Sequence, residues 1–206
     1  MLRLIFFGPP GAGKGTQAER VAANKQIAHI STGDMLRGEI RGATPLGLAA
    51  KGFMDRGELV PDDVIIGMVK ERIGKPDCAD GFLFDGFPRT VAQADALLAI
   101  TPIDRVINIS VPTQQLVARI SGRRMCDGCG TAYHLSTYDK DICKCGGKLY
   151  HRDDDRAETV ENRLRVYEES TAPLVKYFEE HGLLATVNGD AGIDEVGTKI
   201  AAILPA

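Results

Sequence analysis

Short apolar runs alternate with longer amphipathic stretches along the chain. Five runs rich in β-branched, aromatic and leucine residues cover residues 2–7, 27–30, 82–84, 106–111 and 183–187. The amphipathic stretches include residues 62–73, 90–99, 113–121 and 157–180. We interpret the apolar runs as strands and the amphipathic stretches as helices. Because strands that alternate with helices form parallel sheets covered on both faces, the pattern predicts a three-layer α/β fold around a five-stranded parallel sheet.

Two segments interrupt this alternation. Residues 31–60 have a helical pattern with scattered glycines, and residues 122–155 are polar and cysteine-rich without a long apolar run. We interpret both as inserts over the rim of the sheet. The predicted core domain then consists of residues 1–30, 61–121 and 156–206.

The first apolar run ends in a glycine-rich turn. Residues 8–16 read Gly-Pro-Pro-Gly-Ala-Gly-Lys-Gly-Thr, and helix-forming residues follow from Gln17. Glycines let such a loop turn sharply and aim backbone N–H groups at an anion, and the following helix adds the positive end of its dipole. Lys14 can reach the β- and γ-phosphates of a nucleotide, and Thr16 offers a hydroxyl. The order of strand, loop and helix predicts a P-loop fold that binds a nucleoside triphosphate.

Two further turns follow predicted strands. Residues 31–37 read Ser-Thr-Gly-Asp-Met-Leu-Arg, and residues 85–90 read Asp-Gly-Phe-Pro-Arg-Thr. Because ligands of such sheets gather beyond the carboxyl ends of the strands, both turns should lie near the phosphate loop. Asp85 suits a water-mediated role in holding Mg²⁺. Arg37 and Arg89 carry planar guanidinium groups suited to a second phosphate, although either one alone is also typical of a surface or capping residue.

Composition and charge narrow the class of protein. A length of 206 residues favours one domain with inserts. A net charge of −3 gives no global basic surface, which argues against nucleic-acid and membrane partners. No apolar run is long enough to cross a bilayer and no cleavable leader precedes the phosphate loop, so we expect a cytosolic protein. In that reducing compartment, five cysteines indicate metal or thiol chemistry before disulfides.

The chain resembles the adenylate kinase family, in the long form with an extended lid. The resemblance rests on four motifs, at residues 8–16, 29–37, 85–90 and 122–124, and covers nearly the whole chain. Phosphate loops usually end in Gly-Lys-Ser/Thr, whereas here Gly15 separates Lys14 from Thr16. This departure reduces the number of P-loop families to which the chain can be similar. The resemblance implies reversible phosphoryl transfer from MgATP to AMP giving two ADP, which maintains the adenine nucleotide balance. It also implies a monomer, an AMP-binding subdomain at residues 31–60 and a lid at residues 122–155.

The resemblance also implies roles for individual residues. The ATP-binding residues would be Gly11, Ala12, Gly13, Lys14, Gly15, Thr16, Arg119, Ala132, Tyr133 and Ala191. The AMP-binding residues would be Thr32, Arg37, Glu58, Leu59, Val60, Gly86, Phe87, Pro88, Arg89, Gln93, Arg152 and Arg163, with Thr32 and Gln93 facing the adenine. The catalytic residues would be Lys14, Arg123, Arg152 and Arg163.

Charged residues around the lid leave some choices open. Arg119 and Arg123 are four residues apart, so a helix continuing through both would put them on one face. The family pattern leaves Arg156 as a surface residue. Asp154 and Asp155 match an acidic pair in relatives; they either pair with the lid arginines or only solvate the start of the helix that opens near Ala157.

Four cysteines of the lid form a candidate zinc site. Cys126 and Cys129 have the spacing of a zinc knuckle. In zinc-bearing relatives a second Cys-x-x-Cys follows, whereas here Cys143 and Cys145 are separated by a single residue, which makes Cys143 the weaker candidate ligand. His134 is a possible substitute, and a disulfide or free thiols are the alternative to zinc. The fifth cysteine, Cys78, we expect to be a buried structural residue.

Other functions stay open at this stage. A kinase for GMP, UMP or CMP would share the phosphate loop, since base choice depends on the shape of the pocket. A nucleic-acid-binding protein with a zinc knuckle is a different class, disfavoured by the acidic balance and by the lack of interleaved aromatic and basic residues. A P-loop domain with an unknown acceptor is the third possibility.

Overall fold

The computed structural model describes residues 1–205, and in this part of the chain the predicted alternation of strands and helices is present. The strands are β1 (Leu2–Phe7), β2 (Ala28–Ser31), β3 (Gly81–Asp85), β4 (Arg105–Ser110), β5 (Arg123–Cys126), β6 (Ala132–His134), β7 (Leu149–Tyr150) and β8 (Leu184–Asn188). The helices are α1 (Lys14–Lys25), α2 (Thr32–Arg41), α3 (Pro45–Asp55), α4 (Asp62–Ile73), α5 (Val91–Ile100), α6 (Thr113–Ser121), α7 (Ala157–Val166), α8 (Leu174–Glu180) and α9 (Ile193–Ile203).

Five strands form the central parallel sheet in the order β2-β3-β1-β4-β8. Side chains of β1 alternate between its faces, because successive residues of a strand point in opposite directions. Ile5 and Phe7 enter one hydrophobic cluster, and Leu4 and Phe6 enter another on the opposite face. Apolar layers on both faces confirm the three-layer α/β prediction.

The two inserts differ in architecture. Residues 31–60 contain α2 and α3, which pack against each other. The cysteine-rich insert contains a second, antiparallel sheet in the order β6-β5-β7. Its strands are only two to four residues long, so no apolar run marks them in the sequence.

Two expectations about helices need correction. Residues 157–180 do not form one regular helix: α7 is followed by a π-helical turn at Tyr167–Thr171, and Pro173, which has no N–H, precedes α8. Helix α6 ends at Ser121, with Gly122 as its C-cap, and Arg123 begins β5. Arg119 and Arg123 therefore do not share a helix face.

Cys78 lies in a 3₁₀ turn and is buried, as expected for a structural residue. Among the described residues, every helix is too short or too polar to span a membrane.

Candidate active site

A cavity of about 640 Å³ opens at the carboxyl ends of β1, β2 and β3. The phosphate loop, both arginine-bearing turns and the lid contribute to its walls. Its lining includes the residues predicted to bind nucleotide or Mg²⁺, apart from Phe87: Gly11, Ala12, Gly13, Lys14, Gly15, Thr16, Thr32, Arg37, Glu58, Leu59, Val60, Asp85, Gly86, Pro88, Arg89, Gln93, Arg119, Arg123, Ala132, Tyr133, Arg152, Arg163 and Ala191. The Phe87 side chain instead packs in the core, with its ring centroid 5.3 Å from that of Phe84.

The phosphate loop holds its lysine in a folded-back position. Gly11 and Gly13 have φ values of 82° and 90°, a left-handed conformation that favours glycine. The Lys14 ammonium donates hydrogen bonds to the carbonyl oxygens of Gly8 (2.8 Å) and Pro9 (2.9 Å). Loss of solvent around this ammonium lowers the pKa of Lys14 to about 8. The loop therefore presents a poorly solvated cation that an anionic ligand would stabilise.

The space around residue 15 explains why a glycine stands between Lys14 and Thr16. A Cβ at this position would lie 3.3 Å from Oδ2 of Asp85, closer than ordinary van der Waals contact. The missing side chain lets the carboxylate at the end of β3 approach the phosphate loop. His29 faces the same carboxylate, with Nε2 3.9 Å from Oδ2 of Asp85.

The second half of the cavity is built by the turn after β3 and by the start of α2. Nε of Arg89 donates to the carbonyl oxygen of Gly86 (2.8 Å), and the Thr32 hydroxyl donates to the same oxygen (3.0 Å). Burial, together with the nearby Arg163, lowers the pKa of Arg89 to about 10. Arg37 donates to Oδ1 of Asp34 at 2.7 Å. Two guanidinium groups thus line the same cavity as the phosphate loop, as expected for turns that follow neighbouring strands of a parallel sheet.

Asp154 and Asp155 pair with arginines, which is one of the two alternatives that the sequence left open. Asp155 is fully buried and accepts hydrogen bonds from Arg123 (2.5 and 2.8 Å) and Arg163 (2.8 Å). Asp154 lies 3.1 Å from Arg163. Burial raises the pKa of Asp154, but Arg163 and neighbouring guanidinium groups outweigh that effect and lower it overall. These carboxylates hold the arginines at the cavity wall.

The remaining arginines divide into lining and surface residues. Arg152 lies 3.4 Å from Oδ1 of Asp34, and burial and the nearby Arg37 lower the pKa of Arg152 to about 10. Arg119 donates to the carbonyl oxygen of Gly189, beside Ala191. Arg156 pairs with Asp153 at the surface with 68% of its side chain exposed, in agreement with the prediction.

The four lid cysteines converge on one point. Their sulfur atoms all lie within 4.8 Å of one another. Cys126 and Cys145 are 3.5 Å apart at sulfur, as are Cys129 and Cys143. Cys143 is therefore part of the cluster despite the shortened spacing. His134 is not, because its ring nitrogens contact Ser136 and the carbonyl oxygen of Ala118.

Some residues that shape the site were not assigned from sequence. Asp34 contacts two arginines, Asp62 contacts Gln93, and the Thr171 hydroxyl donates to the carbonyl oxygen of Arg89 at 2.9 Å. Asp34 belongs to a recognised motif and so carried a signal. Asp62 and Thr171 follow no motif, and only the fold brings them to their partners.

Comparison with known proteins identifies the family. The family model for adenylate kinase matches residues 6–183. The chain is 53% identical to the adenylate kinase of Carboxydothermus hydrogenoformans, with 97% of each chain covered. It is 52% identical to the adenylate kinases of Methanosarcina barkeri and Archaeoglobus fulgidus, with 98% of each chain covered. The chain therefore belongs to the adenylate kinase family, enzymes that transfer a phosphoryl group from MgATP to AMP and form two molecules of ADP.

Proposed function

We propose that the cavity holds both nucleotides at once, with MgATP on the phosphate loop and AMP in the pocket lined by Thr32, Arg89 and Gln93. The observation that carries this assignment is the convergence of cationic side chains from separate segments of the chain. The protein has a net charge of −3, yet one lysine and six arginines line this single cavity. They are Lys14, Arg37, Arg89, Arg119, Arg123, Arg152 and Arg163. Cations concentrated in this way are suited to several phosphate groups.

The donor nucleotide occupies the half nearest α1. Backbone N–H groups of residues 11–16 and the positive end of the α1 dipole face the phosphates, and Lys14 exchanges its carbonyl partners for phosphate oxygens. The Arg119 guanidinium stacks on the adenine, beside Ala132, Tyr133 and Ala191. Asp85 would hold Mg²⁺ through water, and the ion would neutralise charge on the transferring phosphates.

The acceptor nucleotide occupies the half beyond the turn that follows β3. Arg37 and Arg89 bind its phosphate as planar donors. Its base enters the space between the apolar side chains of Leu59 and Val60 and the polar groups of Thr32 and Gln93. Backbone at Glu58, Gly86 and Pro88 completes this pocket.

Transfer then needs alignment and charge stabilisation. An ionised oxygen of the AMP phosphate attacks the γ-phosphorus of ATP; a new P–O bond forms while the bond to the bridging β–γ oxygen breaks, and ADP leaves on each side. No general base is needed, because the attacking phosphate is already ionised. Lys14, Arg123, Arg152 and Arg163 stabilise the charge that spreads over the moving group.

We assign the inserts separate roles. Residues 31–60 form the AMP-binding subdomain, residues 122–155 form the lid, and the remainder is the core. Closure of a lid over the bound nucleotides excludes water that would otherwise accept the phosphoryl group; the adenylate kinase lid is itself among the standard examples of this behaviour.

The lid cluster fits structural zinc. Tetrahedral Zn²⁺ with bonds of about 2.3 Å to sulfur requires sulfur–sulfur distances of about 3.8 Å. All four sulfur atoms lie within 4.8 Å of one another, with two pairs at 3.5 Å, which is compatible with that spacing. Cys126, Cys129, Cys143 and Cys145 would hold the ion and leave no open position for substrate. Such an ion would stabilise a small polar subdomain that cannot build its own core.

The setting we propose is a cytosolic monomer whose partners are ATP, AMP and ADP, without nucleic acid or membrane. The acidic net charge supports the absence of nucleic-acid and membrane partners.

The experiment that tests the acceptor is a panel of AMP, GMP, UMP and CMP with MgATP fixed. We expect ADP formation with AMP and at least about tenfold lower kcat/KM with the others. Preference for another monophosphate would reassign the acceptor pocket, and RNA binding without ADP formation would remove the assignment altogether.

A further inference from the structure

The side-chain amide of Gln93 is held at both of its ends. Its Oε1 accepts a hydrogen bond from the backbone N–H of Arg89 at 2.8 Å, and its Nε2 donates to Oδ1 of Asp62 at 2.8 Å. Only 2% of the Gln93 surface is exposed. The amide is therefore fixed by two partners that come from different segments of the chain.

These two partners allow one orientation of the amide and not the reverse. A backbone N–H can only donate, and an ionised carboxylate can only accept. Rotation of the amide by 180° would put its NH₂ group against the Arg89 N–H and its carbonyl oxygen against the Asp62 carboxylate. Both contacts would be repulsive, and a buried polar group left without a partner costs free energy.

The Asp62 carboxylate is itself held in place. Asp62 is the first residue of α4, and its Oδ2 accepts a hydrogen bond from the Thr90 hydroxyl at 2.9 Å. The same hydroxyl oxygen accepts from the backbone N–H of Gln93 at 3.2 Å and so caps α5. A small network thus joins the start of α4 to the start of α5, with Gln93 as its member that lines the cavity.

Amide orientation decides which base edge Gln93 can recognise. After these two contacts, Oε1 keeps one lone pair and Nε2 keeps one hydrogen. Adenine offers a donor at its 6-amino group and an acceptor at N1, so it needs the amide in one order. Hypoxanthine and guanine offer an acceptor at O6 and a donor at N1, so they need the reverse order. An amide free to rotate would accept either edge, whereas a fixed amide accepts one.

We propose that Asp62 is a specificity-positioning residue, whose carboxylate holds the Gln93 amide in the order that adenine requires. The proposal rests on the proposed function, in which Gln93 faces the base of AMP. Asp62 does not touch the nucleotide. It acts through Gln93, by making the reversed amide, and with it the recognition of a 6-keto base, unfavourable.

The test compares AMP with inosine monophosphate as acceptors at fixed MgATP. In Asp62→Ala, we expect the ratio of kcat/KM for AMP to kcat/KM for inosine monophosphate to fall by about tenfold, because a charged hydrogen bond that holds the amide is lost. The KM for AMP should rise, and the KM for MgATP should stay at the wild-type value. Asp62→Asn keeps the size of the side chain but adds an NH₂ group. This group can donate a hydrogen bond to the carbonyl oxygen of a reversed Gln93 amide, so the same ratio should fall.

Asp63→Ala is the matched control. Asp63 is the next residue of α4 and lies exposed in the same first turn, so its loss changes the helix terminus without reaching Gln93. It should leave the ratio unchanged. A purely structural role of Asp62 would lower the melting temperature and leave the ratio at the wild-type value in both Asp62 variants, which would overturn the proposal.

Gln93→Leu separates this proposal from the proposed function. If Gln93→Leu lowers the ratio while both Asp62 variants keep the wild-type ratio, then Gln93 recognises the base but Asp62 does not position the Gln93 amide. If the wild-type protein itself shows no preference for AMP, the acceptor assignment fails and the role of Asp62 fails with it.

Discussion

At the residue scale, two poorly solvated cations lie in different halves of one cavity. Lys14 belongs to the phosphate loop, and Arg89 belongs to the turn after β3. Burial lowers the pKa of both side chains, to about 8 and about 10 respectively. An anion that binds beside either cation should therefore stabilise its charge. Removal of Lys14 and removal of Arg89 should weaken the binding of different nucleotides.

Arg89→Ala should impair use of AMP and spare MgATP. Each charged hydrogen bond to a phosphate is worth about 1.5–3 kcal/mol, so we expect kcat/KM for AMP to fall roughly ten- to a hundredfold or more. Steady-state kinetics with each nucleotide varied in turn measures the effect. Arg156→Ala, which removes an exposed arginine paired only at the surface, is the control and should behave as wild type. Unchanged kinetics in Arg89→Ala would remove Arg89 from the site.

The lowered pKa of Lys14 leads us to expect that MgATP binding depends on pH. Its pKa is about 8 in the nucleotide-free protein, so the side chain is charged below that pH and increasingly neutral above it. We expect the affinity for MgATP to be constant below about pH 7 and to fall by up to about tenfold per pH unit above about pH 8. Titration calorimetry across this range measures it. Lys14→Arg keeps its charge throughout and should abolish the fall, whereas a flat wild-type profile would contradict the prediction.

At the element scale, the lid is the part of the chain least able to fold by apolar burial. Its strands β5, β6 and β7 are two to four residues long, and Leu135 and Ile142 are at least half exposed. The buried Met125, Cys126 and Cys143 make only a small apolar centre. The four-cysteine cluster is therefore the feature expected to hold this sheet together.

Metal removal should destabilise the lid. We expect the wild-type protein to retain about one zinc ion per chain after exhaustive dialysis. Cys143→Ser should lose the ion and lower the melting temperature by about 5 °C or more. Cys78→Ser alters a buried cysteine outside the cluster and should keep the ion. A metal-free wild-type lid with an unchanged melting temperature would contradict the zinc assignment.

At the scale of the whole molecule, the central fold could be predicted because its signals are local. The apolar runs match the five strands of the parallel sheet to within one residue at each end. The phosphate loop and the two arginine-bearing turns carry motifs, and the parallel sheet brings them to one rim. The placement of candidate site residues around one cavity was accordingly predictable.

What the sequence did not reveal depends on contacts between distant residues. The sequence left open whether Asp155 pairs with an arginine, and its partner Arg123 lies 32 positions away. The contact of Asp62 with Gln93, which joins residues 31 positions apart, was not predicted. The strands of the lid are too short to show periodicity. Cys143 was in doubt because its spacing departs from the usual knuckle, yet the fold brings its sulfur to the other three.

The central claim is that one cavity holds a donor and an acceptor nucleotide and passes a phosphoryl group between them. The most direct test mixes the purified protein with MgATP and AMP and follows all three nucleotides over time. We expect one ATP and one AMP to disappear for every two ADP formed, and no ADP to form without AMP. Release of inorganic phosphate from ATP at a rate independent of AMP would contradict it.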